Sequence, residues 1–363
     1  MDPRVHDHAE IIVDHSVDVR EGDEVILRGH PVAEDLAIAV AELCGERGAN
    51  INAALRSSRV STAYRRALDI EDVSMSEVSL AMMQEADVVI VIRADDNTHE
   101  TGDIDPEKNV AHAEANKDIR DAYMQKRWVG TQYPASGNAQ DAEMSTDTYE
   151  GFVWSAINKD WDEVREFQQQ MVEIMDPAEE VRIVSGDETD VTMSVAGNPT
   201  LNDYGEKNLP GGEVFTAPVP DSVEGEVVFD KPLMAQGREV RDVYLRFEDG
   251  EVVEHSAGKN EEVLTAVLNT DDGARRLGEL GIGMNRDIDR FTYNMLFDEK
   301  MGDTVHMALG RAYGETVSED NEQNDSAMHM DMIVDMSEDS RIEVDGEVVQ
   351  RDGTFQFEDG FEE

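Results

Sequence analysis

The sequence has a single cysteine, Cys44, and no long apolar run. One cysteine excludes an intrachain disulfide and a zinc site built from several thiolates. A membrane-spanning helix needs about 18 or more consecutive apolar residues, and no stretch of this chain approaches that length. The N-terminus also lacks the basic and apolar regions of a secretory signal peptide. We therefore expect a soluble, cytoplasmic protein without a membrane partner.

Nucleotide-binding signatures are missing as well. No GxGxxG pattern follows an apolar run, and no GxxxxGK[ST] pattern occurs. The segment RGHPVAED after Leu27 reads as a strand-to-helix turn, but it does not carry the glycines that allow close approach of a phosphate. The sequence therefore argues against a dinucleotide or nucleoside triphosphate cofactor.

Basic residues are scarce. The 363 residues include 82 Asp and Glu against 31 Lys and Arg, which gives a formal net charge of -51. Such a surface repels itself until salt shortens the electrostatic screening length, which is about 3 Å at 1 M. We interpret the charge as an adaptation to a salt-rich cytoplasm, as in a halophile. Because the chain lacks a basic face to neutralise phosphates, nucleic acid is not an expected partner.

Disorder is an alternative explanation of high net charge. However, apolar residues make up 39% of the chain and recur with helix or strand periods from end to end. A chain of this length is usually too long to fold around a single hydrophobic core, so we expect two domains.

The first part alternates predicted strands and helices. Glu24 to Leu27 reads as a strand, Val32 to Gly48 as a helix, and Asn50 to Leu55 as a second strand. The pattern continues with an apolar run from Asp87 to Arg93 and with a helix from Val110 to Gln125 that precedes RWVGTQYP. These alternations predict an α/β N-terminal domain with a mostly parallel sheet.

A long helical stretch from Ser145 to Met175, interrupted near Asn158, closes this part, and Pro177 follows it. We place the domain boundary there, so the predicted α/β domain covers residues 1–177. The aromatic residues of the stretch favour core packing or subunit contacts over a cofactor site. They include Phe152, Trp154 and Trp161.

Residues 178–363 change character to short strands with glycine turns. Asp-Gly pairs at 249–250 and 345–346 are typical of hairpins. Helices are expected at Glu261 to Leu268 and at Gly273 to Leu280. The prediction for residues 178–363 is an α+β C-terminal domain with a mostly antiparallel sheet.

The run from Met301 to Met332 contains four possible metal ligands, His306, Tyr313, His329 and Asp331. His329 and Asp331 alternate across Met330 in a predicted strand, so both project from one face. Two imidazoles with a phenol and a carboxylate suit one or two borderline divalent cations. From this motif alone, a His and an Asp that pair with each other on a solvated strand face, without a metal, are as well supported as a metal site.

Two glutamates elsewhere are further candidates. Glu213 begins a strand after the proline- and glycine-rich turn NLPGG, a position that is more often solvated surface in so acidic a chain. Glu279 lies among Leu277, Leu280 and Ile282. A carboxylate set among apolar neighbours needs a partner, and a cation is one.

Four strings occur in the order NLPGGEVFTAP, RLGELGIGMN, LFDEKMGDTVHMALGRAY and HMD. Together with RWVGTQYPASGNAQDAEMSTDTYEGFVWSA, they resemble the M29 family of metal-dependent aminopeptidases, the aminopeptidase T and aminopeptidase S group. The likeness covers Arg127 to Met332 well and the first hundred residues loosely. The motifs are specific as a set rather than singly.

The resemblance implies two divalent metal ions per chain, zinc, cobalt or manganese, and no other cofactor. The residues that it implies as metal ligands are Glu213, Glu279, His306, Tyr313, His329 and Asp331. Among them Glu213, Glu279 and Tyr313 are the candidates for catalytic roles. The expected reaction is release of N-terminal amino acids from peptides by a water that two metals activate, and the expected assembly is a homodimer.

Two other functions are compatible with parts of this pattern. A ring-opening dioxygenase of the dihydroxypyridine type resembles the same family and needs only one iron held by two histidines and a carboxylate. In a non-catalytic acidic binding protein, the six residues would be surface and core by coincidence. The complete six-residue set favours the aminopeptidase over both.

Overall fold

The computed structural model describes residues 2–235 and 238–362. The chain forms two compact units, one of Met1–Trp161 with Gly205–Gly211 and one of Asp162–Tyr204 with Gly212–Glu363. Helices and strands are numbered below in chain order.

The first unit is built on a sheet of five parallel strands in the order β2-β1-β3-β4-β8. Its strands are β1 (Glu24–Gly29), β2 (Asn50–Leu55), β3 (Val88–Arg93), β4 (Arg127–Gln132) and β8 (Asn208–Leu209). Successive side chains of β1 and β3 are buried, for example Val25, Ile26 and Leu27. Burial of neighbouring side chains means that both faces of the sheet are covered, which confirms the predicted α/β architecture.

Helices precede, connect and follow these strands. They are α1 (Pro3–Glu10), α2 (Glu34–Glu46), α3 (Ser58–Ala67), α4 (Glu77–Glu85), α5 (Pro106–Ala115), α6 (Lys117–Met124), α7 (Ser136–Asp141) and α8 (Thr146–Ile157). The single helix expected from Val110 to Gln125 is instead the pair α5 and α6. Asn116 separates them, because its side-chain amide donates to the His112 carbonyl oxygen at 2.7 Å and ends α5. Across the described residues, no helix is both long and apolar enough to cross a membrane.

The aromatic residues after the sheet are part of the core of this unit. Phe152, Trp154 and Trp161 are 8%, 4% and 3% exposed in the single chain. The subunit-contact interpretation therefore does not fit these three side chains, and core packing does.

The second unit contains an eight-stranded sheet, β14-β13-β10-β6-β5-β18-β19-β20, and a five-stranded sheet, β17-β16-β15-β9-β7. Neighbouring strands in both sheets are antiparallel, as predicted. A separate hairpin joins β11 and β12. The strands of this unit are β5 (Glu180–Ser185), β6 (Thr189–Ser194), β7 (Leu201–Asp203), β9 (Glu213–Thr216), β10 (Glu224–Phe229), β11 (Leu233–Ala235), β12 (Arg238–Val240), β13 (Val243–Glu248), β14 (Glu251–Ser256), β15 (Leu277–Gly283), β16 (Thr304–Gly310), β17 (His329–Asp335), β18 (Ser340–Val344), β19 (Glu347–Arg351) and β20 (Thr354–Phe355).

The helices that accompany these sheets are α9 (Trp161–Met175), α10 (Glu261–Leu268) and α11 (Met295–Asp298). Met171 and Met175 of α9 are fully buried in the same apolar core as the strands of this unit. The sequence-based boundary at Pro177 therefore lies later in the chain than the division after Trp161.

Both predicted Asp-Gly hairpins form. Asp249 and Gly250 have φ angles of 49° and 77°, and Asp345 and Gly346 have 50° and 82°. Positive φ at both central residues is the requirement of a tight hairpin turn, and Asp followed by Gly meets it with little strain.

The helix expected from Gly273 to Leu280 is wrong. A short 3₁₀ helix covers Asp272–Arg275, and Leu277–Gly283 is the buried strand β15. Its three glycines disfavour a helix, and a fully buried strand does not show the alternation of apolar and polar residues that marks a half-exposed one. Glu279 therefore projects from a central strand.

Candidate metal centre

Five of the six predicted site residues lie on adjacent strands of the five-stranded sheet. In the register of the strands, Glu213 on β9 faces Gly283 on β15, and His306 on β16 faces Gly281. Ala308 on β16 is flanked by Glu279 on one side and by Asp331 on the other. Directly paired residues and residues two apart share a face of a sheet. All five side chains therefore emerge on one face.

The side chains meet in two groups that share one carboxylate. Glu213, Glu279 and His306 form the first group, and Glu279, His329 and Asp331 form the second. Each residue offers a ligand atom within 4.8 Å of the others in its group. The shared carboxylate of Glu279 lies between the groups, so this arrangement suits two cations held side by side.

Distances within the first group are short. His306 Nε2 lies 3.0 Å from Glu279 Oε1 and 3.4 Å from Glu213 Oε2. His306 is fully buried, and Glu213 and Glu279 are each 5% exposed. Three polar side chains are thus concentrated in a place that little water reaches.

Gly281 makes room for this arrangement. A Cβ built on Gly281 would overlap the His306 imidazole ring, including its Cε1 and Nε2 atoms. Any side chain at residue 281 would therefore displace the imidazole. The glycine is needed for space rather than for a left-handed backbone.

The second group fixes the orientation of one imidazole. His329 Nδ1 is 2.8 Å from the Arg311 carbonyl oxygen, which can only accept, so Nδ1 carries the proton and donates it. His329 Nε2 then faces Asp331 Oδ1 at 3.2 Å and Glu279 Oε2 at 3.7 Å, where it would bind a cation once its proton is displaced. A backbone carbonyl that holds the second ring nitrogen is a common feature of metal-binding histidines.

Several oxygens of the site lack hydrogen bonds. Within the described residues, Glu213 Oε2, Glu279 Oε2 and Asp331 Oδ1 are buried and have no hydrogen bond of good geometry, although an imidazole nitrogen lies 3.2–3.7 Å from each. A buried carboxylate oxygen without a partner is costly. Oxygen and imidazole nitrogen atoms that converge in this way are ligands for a divalent cation, so the residues present fit a metal pair.

The charges of the site shift its titrations. Burial lowers the pKa of His306, but the Glu279 hydrogen bond and the Glu213 charge outweigh it and raise the pKa to about 10. For His329, burial is likewise outweighed by Asp331 and Glu279, and the pKa is raised to about 9. Burial raises the pKa of Glu213 to about 8, although Lys300 and His306 oppose it. The protein groups thus favour positive charge at the centre, and a cation that binds there would displace protons.

Tyr313 lies beside the second group. It is the third residue after β16, its ring centroid is 4.9 Å from that of His329, and it is 46% exposed. Burial of its hydroxyl and the charges of Glu279 and Asp331 raise the phenol pKa well above its usual value. In the protein without a cation, Tyr313 is therefore a protonated donor at the rim of the site.

Lys300 belongs to the site as well, although no sequence motif indicates it. It is fully buried, and its Nζ atom contacts Glu299 and lies 3.1 Å from Glu213 Oε1 and 3.7 Å from Asp203 Oδ2. The ammonium group holds one oxygen of Glu213 and leaves Oε2 on the side of His306. A lysine between Phe297 and Met301 in an acidic chain was the available signal, but the sequence does not show that residues 203 and 213 meet residue 300.

Comparisons with known proteins show which proteins this chain is similar to. A family model described as thermophilic metalloprotease (M29) matches residues 1–360. The chain is similar to aminopeptidase 2 of Geobacillus stearothermophilus, with 38% identity over 40% of this chain and 37% of that protein. It is also similar to aminopeptidase T of Thermus aquaticus, with 37% identity over 47% of this chain and 45% of that protein. The aligned stretches thus span less than half the length of these curated relatives.

Two solved structures share the fold. Wild-type AmpT from Thermus thermophilus matches with a TM-score of 0.87 and 24% identity, over 98% of this chain and 99% of that chain. A structure of 2,5-dihydroxypyridine dioxygenase from Pseudomonas putida KT2440 matches with a TM-score of 0.60 and 13% identity, over 98% of this chain and 97% of that chain. At these identities both likenesses concern the fold.

Proposed function

The chain belongs to the M29 peptidase family, and on that premise we propose that it is a metal-dependent aminopeptidase, which removes N-terminal amino acids from peptides. The observation that carries the proposal is the pair of ligand groups joined through Glu279. Two adjacent cation sites with a common carboxylate are typical of hydrolases that act through two metals.

The ligand assignment follows the two groups. Glu213, Glu279 and His306 hold one cation, and Glu279, His329 and Asp331 hold the other, with Tyr313 at the side of the second. Zinc, cobalt and manganese all accept such mixtures of imidazole and carboxylate, so the donor set does not select among them. When bound, the cations supply Lewis acidity that polarises the scissile carbonyl and lowers the pKa of the attacking water.

The protein groups have separate tasks in this proposal. Lys300 keeps Glu213 in a single orientation, and the Arg311 carbonyl does the same for the His329 ring. Either Glu213 or Glu279 carries the proton of the attacking water to the leaving amine. Tyr313, whose ring lies beside that of His329, donates a hydrogen bond to the oxygen that gains charge during the reaction.

Chelation and metal restoration test this function. The purified chain, dialysed against a chelator in molar potassium chloride, is expected to lose hydrolysis of an aminoacyl anilide. Added zinc, cobalt or manganese should restore it. The N-acetylated anilide is the matched control, because an exopeptidase needs a free α-amine. Cleavage of the blocked substrate at an equal rate, or activity that persists in the metal-depleted protein, would contradict the proposal.

Metal content separates the aminopeptidase from the dioxygenase alternative. We expect two divalent ions per chain, and His329→Ala should lower both metal content and hydrolysis. One iron per chain, with uptake of oxygen on a dihydroxypyridine, would favour the dioxygenase. Hydrolysis that is intact in His329→Ala would favour a function unrelated to these ligands.

The proposal extends to the setting of the enzyme. Peptides with a free N-terminus are the proposed substrates, a homodimer is the proposed assembly, and a salt-rich cytoplasm is the proposed location. The net charge of -51 and the single cysteine, which is buried, support the location. Family likeness supports the homodimer, and sedimentation in molar salt would test it.

A further inference from the structure

One segment of the first unit departs from the acidity of the chain. Residues 47–68 are the longest stretch without Asp or Glu, and they contain five arginines. The stretch includes β2, and Arg56 lies directly after that strand at its carboxyl end. In a protein with a net charge of -51, this local excess of positive charge needs an explanation.

The strand register brings Arg56 together with two other arginines. Arg28 on β1 is paired with Ala54 on β2 and with Val91 on β3. Arg56 and Arg93 each lie two residues beyond these partners. Paired residues and residues two apart share one face of a sheet, and neighbouring strands are about 4.8 Å apart. The three arginines, called here the arginine trio, therefore stand on one face at the carboxyl end of three adjacent strands.

The arginine trio has no carboxylate partner among the described residues. No ion pair within 4.0 Å involves Arg28, Arg56 or Arg93, and none of their guanidinium groups makes a hydrogen bond to the part of the chain that the structure describes. Four other arginines of the same unit are paired with aspartates, namely Arg20 with Asp18, Arg47 with Asp14, Arg66 with Asp103 and Arg127 with Asp23. Arg59, Arg65 and Arg120 also make no ion pair with the described residues, but they lie on helices α3 and α6 and not at the end of a strand.

Other side chains on the same face of the sheet lie close to the arginine trio. Arg28 is half-buried, and burial together with the charge of Arg56 lowers its pKa. Tyr123 of α6 is half-buried over the same face, where the charges of Arg93 and Arg28 act on its hydroxyl. Its ring packs on Trp128 at a centroid distance of 5.0 Å. The guanidinium of Arg93 extends over Gly130 of β4, where an added Cβ would lie 3.7 Å from Nη2.

The position in the fold is one where ligands bind. Strands β1 and β3 are neighbours in the sheet. The strand that follows β1 in the chain, β2, lies on the far side of β1, and the strand that follows β3, β4, lies on the far side of β3. A crevice forms at the carboxyl ends of strands where the strand order reverses in this way, and open α/β sheets use it for ligands. Arg28 on β1 and Arg93 on β3 border that point.

We propose that the arginine trio and Tyr123 form a binding site for a ligand that carries an oxyanion, either a carboxylate or a phosphate. Guanidinium groups bind both through paired N–H···O hydrogen bonds, and the phenol adds a donor. The ligand compensates three like charges that the protein leaves unpaired. Because no glycine-rich loop is present, side chains rather than backbone N–H groups hold the anion.

Calorimetric titration at fixed ionic strength tests the site. The intact chain in potassium chloride is titrated with inorganic phosphate and, separately, with succinate. Saturable binding of either anion at one site per chain is expected, and the anion that binds identifies the class of ligand. The double variant Arg56→Gln/Arg93→Gln should bind it at least about 100-fold more weakly, because two charge-assisted hydrogen-bonding groups are lost.

Arg66→Gln is the matched control, since Arg66 lies in the same acid-free segment but is paired with Asp103. It should bind the anion as the parent does. The parent and both variants should unfold at similar temperatures without the anion, because Arg56, Arg66 and Arg93 are exposed. Failure of both anions to bind saturably, or equal binding by the double variant, would overturn the proposal. The site is independent of the proposed peptidase activity, so either can fail without the other.

Discussion

The buried ammonium group of Lys300 is expected to contribute strongly to the stability of the fold. Its ammonium group is surrounded by Glu213, Glu299 and Asp203 and has no exposure to water. Removal of one partner of a buried ion pair leaves the other charge uncompensated, at a cost of about 3–5 kcal/mol. We predict that Lys300→Met lowers the free energy of unfolding by about that amount in urea titrations.

Lys259→Met is the control for that measurement. Lys259 is half exposed, and its partner Glu239 keeps hydrogen bonds from Arg241 and Tyr293. The change should cost less than about 1 kcal/mol, as for other exposed ion pairs. Equal stability of the two variants would show that the buried contacts of Lys300 do not stabilise the fold.

Gly281 is a second residue whose replacement should disturb the site. A methyl group at residue 281 would overlap the His306 ring, so Gly281→Ala should shift the imidazole away from Glu213 and Glu279. A displacement of about 1 Å in a catalytic group costs on the order of 100-fold in rate. We expect kcat/KM on an aminoacyl anilide to fall by about that factor, and the metal content measured by elemental analysis to fall with it.

Gly45→Ala provides the comparison. Gly45 is in helix α2, and an added Cβ there meets no atom within 4 Å among the described residues. This change should leave activity and metal content unaltered and raise helix stability slightly, by up to about 1 kcal/mol. Full activity and full metal content in Gly281→Ala would show that metal binding and catalysis do not depend on the position that the His306 imidazole has in the structure.

At the scale of elements, the packing of α1 and α8 against β4 predicts a dependence on pH. His8 of α1 is fully buried, lies 2.7 Å from Thr131 Oγ1 of β4 and contacts the Trp154 ring of α8. Burial lowers its pKa from 6.5 to about 3. The unfolded chain therefore takes up the proton first, and this contribution to stability is lost as the pH falls from 6.5 towards 3.

The slope of that loss is about 1.4 kcal/mol per pH unit. The many carboxylates of the chain also titrate in this range, so the informative quantity is a difference between proteins. We predict that the free energy of unfolding of the parent, minus that of His8→Gln, decreases steadily from pH 6.5 to pH 4. Parallel stability curves for the two proteins over this range would refute the role of His8.

Elements that local patterns define could be predicted from the sequence. Strand β2 and helix α10 have the bounds expected from their periods, Asn50–Leu55 and Glu261–Leu268. Strand β15 could not be predicted, because burial on both faces removed its alternation and its glycines serve contacts from other strands. The five site residues on adjacent strands could be predicted because they occur in recognisable sequence motifs. Lys300 could not, because its partners Asp203 and Glu213 are far from it in the sequence.

The whole molecule is dominated by its net charge of -51. Self-repulsion destabilises a compact state of such charge, and added salt reduces it by shortening the screening length from about 10 Å at 0.1 M to about 3 Å at 1 M. We therefore predict that the temperature of unfolding rises steeply with potassium chloride over this range. Calorimetric scans at several salt concentrations measure the slope.

A variant with fewer charges separates screening from general effects of salt. Glu71, Glu77 and Glu85 are exposed acidic residues around α4. Their joint replacement by Gln should raise the unfolding temperature most at low salt and flatten its dependence on potassium chloride, because less repulsion remains to be screened. An unchanged slope would assign the effect of salt to stronger apolar burial instead. The salt dependence would then not be due to screening of the repulsion between acidic side chains, and the acidic surface would require a different explanation, such as its hydration.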